Sequence, residues 1–138
     1  MKKVALAAGI AAIAALALPA VSSARLSIFH TPSKKVYCAF FSGSSVILRC
    51  DTKYRIAPLG SFRCREGDWG NSINMSARSK AHGLCAGDTV IGSRGPALAY
   101  GTTKHYGPFT CTSRTSGLTC SNRVGHGWFL SDTKQRKF

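Results

Sequence analysis

The residues that could do chemistry in this chain are few. Its carboxylates are Asp51, Glu66, Asp68, Asp88 and Asp132, and Glu66 is the only glutamate. A glycosidase of the usual kind needs two carboxylates facing one cleft. Only Glu66 and Asp68 lie close, in Arg65-Glu66-Gly67-Asp68. A strand would put both on one face. Their surroundings read instead as a turn, with Asp68 holding nearby backbone N–H groups. The histidines are His30, His82, His105 and His126. None has the H-x-x-x-H or H-E-x-x-H spacing of a metal site. No serine sits in a G-x-S-x-G nucleophile elbow, although a Ser-His-Asp set is assembled in space and stays open.

His126 has the most distinctive setting, Gly125-His126-Gly127 before Trp128-Phe129. Flanking glycines permit unusual backbone angles and close approach. The residue reads either as a ligand contact on a tight loop or as a turn residue packed on an aromatic neighbour. Asp68-Trp69-Gly70 invites the same pair of readings, with Trp69 either a binding platform or part of the core. Asp68, Trp69, His126 and Trp128 are therefore the candidate ligand contacts, and no residue is assigned a catalytic role. Ala86-Gly87-Asp88-Thr89 reads as punctuation before a strand.

Six cysteines remain: Cys38, Cys50, Cys64, Cys85, Cys111 and Cys120. Zinc ligands usually come in pairs two to four residues apart, and no C-x-x-C occurs here. No metal and no cofactor is expected. An even cysteine count in a small exported chain reads as three disulfides. Two segments look alike. Cys38 and Cys50 flank a polar turn through Gly43, and Cys111 and Cys120 flank one through Gly117. Folding each about its turn sets the two cysteines opposite one another. Directly opposed Cβ atoms lie about 4.5–5.5 Å apart, within reach of the ~3.8 Å of a bridge. The expected pairs are Cys38–Cys50 and Cys111–Cys120, which leaves Cys64–Cys85. A catalytic thiol would need an unpaired cysteine, and this scheme leaves none.

The elements that must position these residues begin after an export signal. Lys2 and Lys3 start it, an apolar run from Val4 to Leu18 follows, Pro19 breaks it, and Ser22-Ser23-Ala24 supplies small residues at a cleavage site. Residues 1–24 are read as the signal and 25–138 as a single β domain, secreted after cleavage at Ala24. The apolar run is short for a membrane anchor, and no later stretch is long and apolar enough to span a bilayer. A chain of 138 residues excludes a multidomain protein and a large cofactor fold. The 44% hydrophobic content is inflated by the signal. The remaining core is thinner than that figure implies, which makes the disulfides a requirement for folding.

Glycines punctuate the domain every few residues from Gly43 to Gly127, and helical periodicity never persists for three turns. Short apolar runs recur: Leu26–Phe29, Val36–Phe41, Val46–Leu48, Thr89–Ile91, Phe109–Cys111 and Trp128–Leu130. Many short strands between turn clusters indicate an all-β domain. A small disulfide-stabilised sandwich or partial barrel built from hairpins is expected. A helix between Asn74 and His82 is not favoured.

The chain resembles a family of small exported bacterial proteins, mostly from high-GC Gram-positive organisms and catalogued as a domain of unknown function. The blocks that carry the resemblance cover nearly the whole mature chain. They are Phe29-His30-Thr31-Pro32-Ser33, Leu48-Arg49-Cys50-Asp51, Gly83-Leu84-Cys85-Ala86-Gly87-Asp88-Thr89-Val90, Leu98-Ala99-Tyr100-Gly101 and Gly117-Leu118-Thr119-Cys120. Gly125-His126-Gly127-Trp128-Phe129-Leu130-Ser131 completes the set. Lys34-Lys35 stands where the family has Gly-Asn, and Trp128 where it more often has Phe. The spacer after Cys64 is slightly longer than the family pattern. The resemblance implies an exported, disulfide-bearing β domain and no activity.

Charge is the remaining clue to partners. Lys and Arg number 19 against 5 Asp and Glu, and only Lys2 and Lys3 leave with the signal. The cations are scattered: Lys34-Lys35, Arg63 and Arg65, Arg78 and Lys80, then Lys134, Arg136 and Lys137. Such a surface attracts polyanions, including anionic cell-envelope polymers. No nucleic-acid motif is present. Phe40, Phe41, Phe109, Trp128 and Phe129 lie in runs that the core needs. The leading expectation is a non-enzymatic cationic binding module at the cell envelope or outside it. The alternatives are a small exported hydrolase using His126 with Asp68 or Asp88, and a secreted enzyme inhibitor.

Overall fold

A computed structural model describes residues 23–57 and 70–138. The first sheet contains β1 (Arg25–His30), β2 (Val36–Ser42), β3 (Ile47–Thr52), β4 (Ser72–Ser76) and β5 (His82–Gly83). The second contains β6 (Thr103–Tyr106), β7 (Phe109–Arg114), β8 (Gly117–Asn122), β9 (Gly127–Leu130) and β10 (Gln135–Lys137). Each sheet is an antiparallel meander whose neighbours in space are neighbours in sequence. The segment from Asn74 to His82 is strand, turn and strand. No helix among the described residues is long and apolar enough to cross a membrane.

Side-chain alternation places the core between the sheets. In β7 and β8, Phe109, Cys111, Ser113, Leu118, Cys120 and Asn122 are buried, while the residues between them are more exposed. That is the period-two pattern of a sheet with one solvated face. Phe29, Phe40, Leu48, Ile73 and Met75 from the first sheet form one cluster with Tyr106, Phe109, Leu118, Trp128 and Leu130 from the second. Phe29 stacks on Tyr106 with centroids 4.3 Å apart, and Phe40 meets Phe109 edge-on at 5.9 Å. The result is a β-sandwich, and the sheets do not close into a barrel.

β2 and β3 depart from alternation, since most of their residues are buried. The cause is residues 84–97, which run over the outer face and edge of the first sheet as a strap. Val90 and Ile91 of the strap pack with Ile28, Tyr37 and Ala39 in a second, smaller apolar cluster. The His30 N–H donates to the Pro96 carbonyl (3.2 Å), and the Leu98 N–H to the His30 carbonyl (2.8 Å). These bonds cover the open edge of β1, where unpaired backbone groups would otherwise face solvent. Gly95 permits the approach, because a Cβ there would fall 2.4 Å from the Ile28 carbonyl oxygen.

Both hairpin bridges form as the turn geometry predicts. Cys38 pairs with Cys50 and Cys111 with Cys120, each across directly opposed positions with Cα atoms 4.1 Å apart. Cys85 is disulfide-bonded; the Cys64 end of the expected third bridge lies outside the described residues. Two smaller expectations change. Thr89–Ile91 is not a strand but part of the strap, because its hydrogen bonds go to a side chain, that of Asp51, instead of a neighbouring strand. Phe41 is 37% exposed, since strand alternation turns it away from the core that holds Phe40.

Candidate functional site

The first sheet ends on the edge strand β1 and the second on the edge strand β6. A groove of about 500 Å³ lies between them, closed on one side by the strap. β1 contributes Arg25, the strap Arg94, and β6 contributes Lys104 and His105. All four side chains are exposed. The floor is aromatic, made by Phe40 and Tyr106. The Lys104 ammonium lies 5.4 Å from the Tyr106 ring centroid, within cation–π range. Burial pushes the Tyr106 phenol up to about 12, which keeps it neutral and able to donate a hydrogen bond. Gly107, at φ 55°, approaches the Phe40 ring so closely that a Cβ would fall 2.7 Å from its tip. That contact fixes the β6–β7 turn over the groove floor.

No carboxylate lines this groove among the described residues. The three described acids are all committed elsewhere. Asp132 pairs with Lys35, and Asp51 and Asp88 both pair with Arg49. Ion pairing with Lys35 holds the Asp132 carboxyl below its ordinary range, and Arg49 does the same for Asp88. The groove cations carry no such partner among the described residues. With cations and no described carboxylate along it, the groove can attract and hold an anion by charge and by N–H donation.

Arg49 centres a largely buried polar cluster. Arg49 and Asp51 point outward from β3 and are covered by the strap. Arg49 Nε and Nη2 donate to the two Asp51 oxygens at 2.9 and 2.8 Å. Nη1 and Nη2 also donate to the Asp88 carboxylate (2.8 Å) and carbonyl (2.7 Å). Asp51 Oδ2 additionally accepts from the Thr89 hydroxyl and the Val90 N–H. The carboxylates thus face a guanidinium and not a cleft, and the cluster pins the strap to the sheet. Asp88, read from sequence as punctuation, is one end of that clamp.

Of the candidate ligand contacts named from sequence, the structure places His126 and Trp128. Asp68 and Trp69 lie outside the described residues. Trp128 is fully buried in the sandwich core. His126 is half-buried in the β8–β9 turn. Its N–H donates to Asn122 Oδ1 (3.0 Å), and its carbonyl accepts from the Asn122 N–H (2.8 Å). Asn122 also donates to the Ser76 and Ser79 carbonyls, tying this turn to the first sheet. Gly125 takes φ 88°, and a Cβ on Gly127 would fall 2.0 Å from the Cys120 carbonyl oxygen. The two glycines around His126 therefore serve the turn and the close strand approach. Asp88 is held on the first sheet and His126 on a turn of the second. The described residues contain no group of three or more His, Cys, Asp or Glu placed to hold a metal.

Sequence reasoning missed the groove. Arg25, Arg94 and Lys104 are isolated cations in separate segments, and none stands in a basic run. Only the meeting of two sheet edges brings them together.

No curated protein and no solved structure matches the chain. Residues 10–138 match a family of unknown function, DUF6636, and with nearly the whole chain aligned the protein belongs to that family.

Proposed function

We propose that this protein is an exported, non-enzymatic binding module that holds anionic polymers of the cell envelope in the groove between β1 and β6. The observation that carries the reading is the groove itself, with Arg25, Arg94, Lys104 and His105 around an aromatic floor and no described carboxylate. The excess of 19 Lys and Arg over 5 Asp and Glu supports it, because a positive protein draws polyanions in before any specific contact forms. The signal-like residues 1–24 and the disulfides support export. Cleavage after Ala24 would make Arg25 the first residue and set its α-ammonium at the groove mouth.

The mature protein is expected to sediment with purified anionic cell-wall polymer at low salt and to be released by salt. Ionic screening shortens the reach of such charges to about 10 Å at 0.1 M. The double exchange Arg94→Glu/Lys104→Glu should weaken retention at least about tenfold, the effect of roughly 1.4 kcal/mol. Arg123→Glu/Lys137→Glu makes the same change in net charge at exposed sites away from the groove. It should weaken retention much less. Equal losses from the two pairs would mean that bulk charge alone acts, and the groove reading would fail.

A further inference from the structure

A second concavity, of about 240 Å³, lies at one end of the sandwich. The β1–β2, β7–β8 and β9–β10 turns converge there with Tyr54, which follows β3. Loops gathered at the end of a rigid sandwich are a common place for a binding site. More than half of the lining residues carry a hydroxyl. Those of Thr31 and Ser131 are occupied in holding their own turns. Tyr54, Tyr100, Thr115 and Ser116 make no side-chain hydrogen bond among the described residues.

Tyr54 is the most telling of these. Its Oη is buried and has no hydrogen-bond partner among the described residues. Buried polar groups almost always have one, so such an atom calls for an explanation, and an unmet ligand group is one. Burial, and then the nearby Asp132 charge, push its phenol above the ordinary range, so it offers an O–H donor. Asp132 stands on the same wall, paired with Lys35. Arg114 also lines the cavity; it is exposed and forms no ion pair with a described residue. The Tyr100 ring is 42% exposed and offers a flat apolar face.

We infer that this cavity binds one anionic sugar ring. The hydroxyls of Tyr54, Thr115 and Ser116, with the Asp132 carboxylate, meet the ring hydroxyls. Tyr100 covers a C–H face. Arg114 takes the carboxylate or phosphate by paired N–H···O bonds. The volume sets the size: with about 30 Å³ per water, there is room for roughly eight waters, which suits a single ring and not an enclosed chain. The site is separate from the groove and does not depend on the groove reading.

The test is a ¹⁵N–¹H NMR titration of the disulfide-intact protein with four probes: glucuronate, glucose 6-phosphate, glucose and inorganic phosphate. Glucuronate and glucose 6-phosphate separate the carboxylate and phosphate versions of the ligand. At least one should shift residues 31, 33–35, 54, 114–117 and 131–133 and bind at least tenfold tighter than glucose. Arg114→Ala should bring that probe down to the level of glucose. Tyr54→Phe should weaken glucose and the anionic sugar alike by several-fold. Arg94→Glu/Lys104→Glu should leave the titration unchanged, which keeps this inference distinct from the groove. The inference is overturned if neither anionic sugar shifts these residues. It is equally overturned if inorganic phosphate shifts them as strongly as glucose 6-phosphate, because the sugar would then contribute nothing.

Discussion

Arg49 uses four of the five N–H donors of its guanidinium on Asp51 and Asp88 while only 6% exposed. A buried pair like Arg49–Asp51 gains little or nothing over a well-packed apolar pair, because desolvation offsets its attraction, yet removing one partner leaves the other charged and unpaired. Arg49→Met should therefore destabilise the protein by about 3–5 kcal/mol, read from urea unfolding with the disulfides intact. A loss under about 1 kcal/mol would remove the clamp as an organising feature. Asp88 supplies the pH dependence. Arg49 holds its folded pKa below the unfolded 3.8, so its contribution is complete above that value and fades as pH falls through the lower folded one. The side chain is 81% exposed, and screening keeps the effect small. The difference in urea midpoint between the parent and Asp88→Asn should shrink from pH 5 to pH 2. A difference that grows on acidification would contradict the assignment. Around His126 the two glycines make different demands. Gly127→Ala drives a Cβ into the Cys120 carbonyl and should cost at least the 1–3 kcal/mol typical of overpacking. Gly125→Ala meets nothing within 4 Å and faces only the left-handed backbone term of about 1–2 kcal/mol. Unfolding curves in which Gly125→Ala is the worse of the two would refute that division.

At the scale of elements, the two hairpins β2–β3 and β7–β8 are the best-determined parts of the molecule. Each brings opposed cysteines together over a short loop, with sequence separations of 12 and 9. Closing loops of that length restricts the unfolded chain by an amount worth about 3 kcal/mol per bridge. Replacing both members of either pair with Ala should lower the unfolding free energy by about that amount in calorimetry or urea titration. A change under 1 kcal/mol would show that the bridges contribute little to the stability of the fold. Both hairpins were legible in the sequence, because each cysteine pair brackets one polar, Gly-containing turn. The strap was not. Thr89-Val90-Ile91 has strand composition, but its partner is the Asp51 side chain, and no local pattern announces a side chain 38 residues away as the acceptor.

At the scale of the whole molecule, the described acids are all paired, Asp132 with Lys35 and both Asp51 and Asp88 with Arg49, so the surplus positive charge is left to sort by position. Part of it gathers along the meeting edges of the two sheets. Export would add one more charge there. Mass spectrometry of the secreted protein should find Arg25 at its N-terminus. A mature chain beginning well after Arg25 would remove part of β1 and with it one side of the groove.

The sequence by itself determined the all-β character, the hairpins and the two bridges. Those follow from short-range alternation, turn residues and opposed cysteines, all within about a dozen residues. It also announced the positive charge, which composition alone reveals. Tertiary structure decided everything that depends on distant segments. It arranged the strands as two meanders, buried Trp128, laid the strap on Arg49 and Asp51, and set His126 into a turn held by Asn122. It also brought Arg25, Arg94 and Lys104 to one groove, and Tyr54, Arg114 and Asp132 to one cavity. Local sequence records the preference of each segment but not which two sheet edges or which loops will meet, because that choice is made by burying apolar surface over the whole chain.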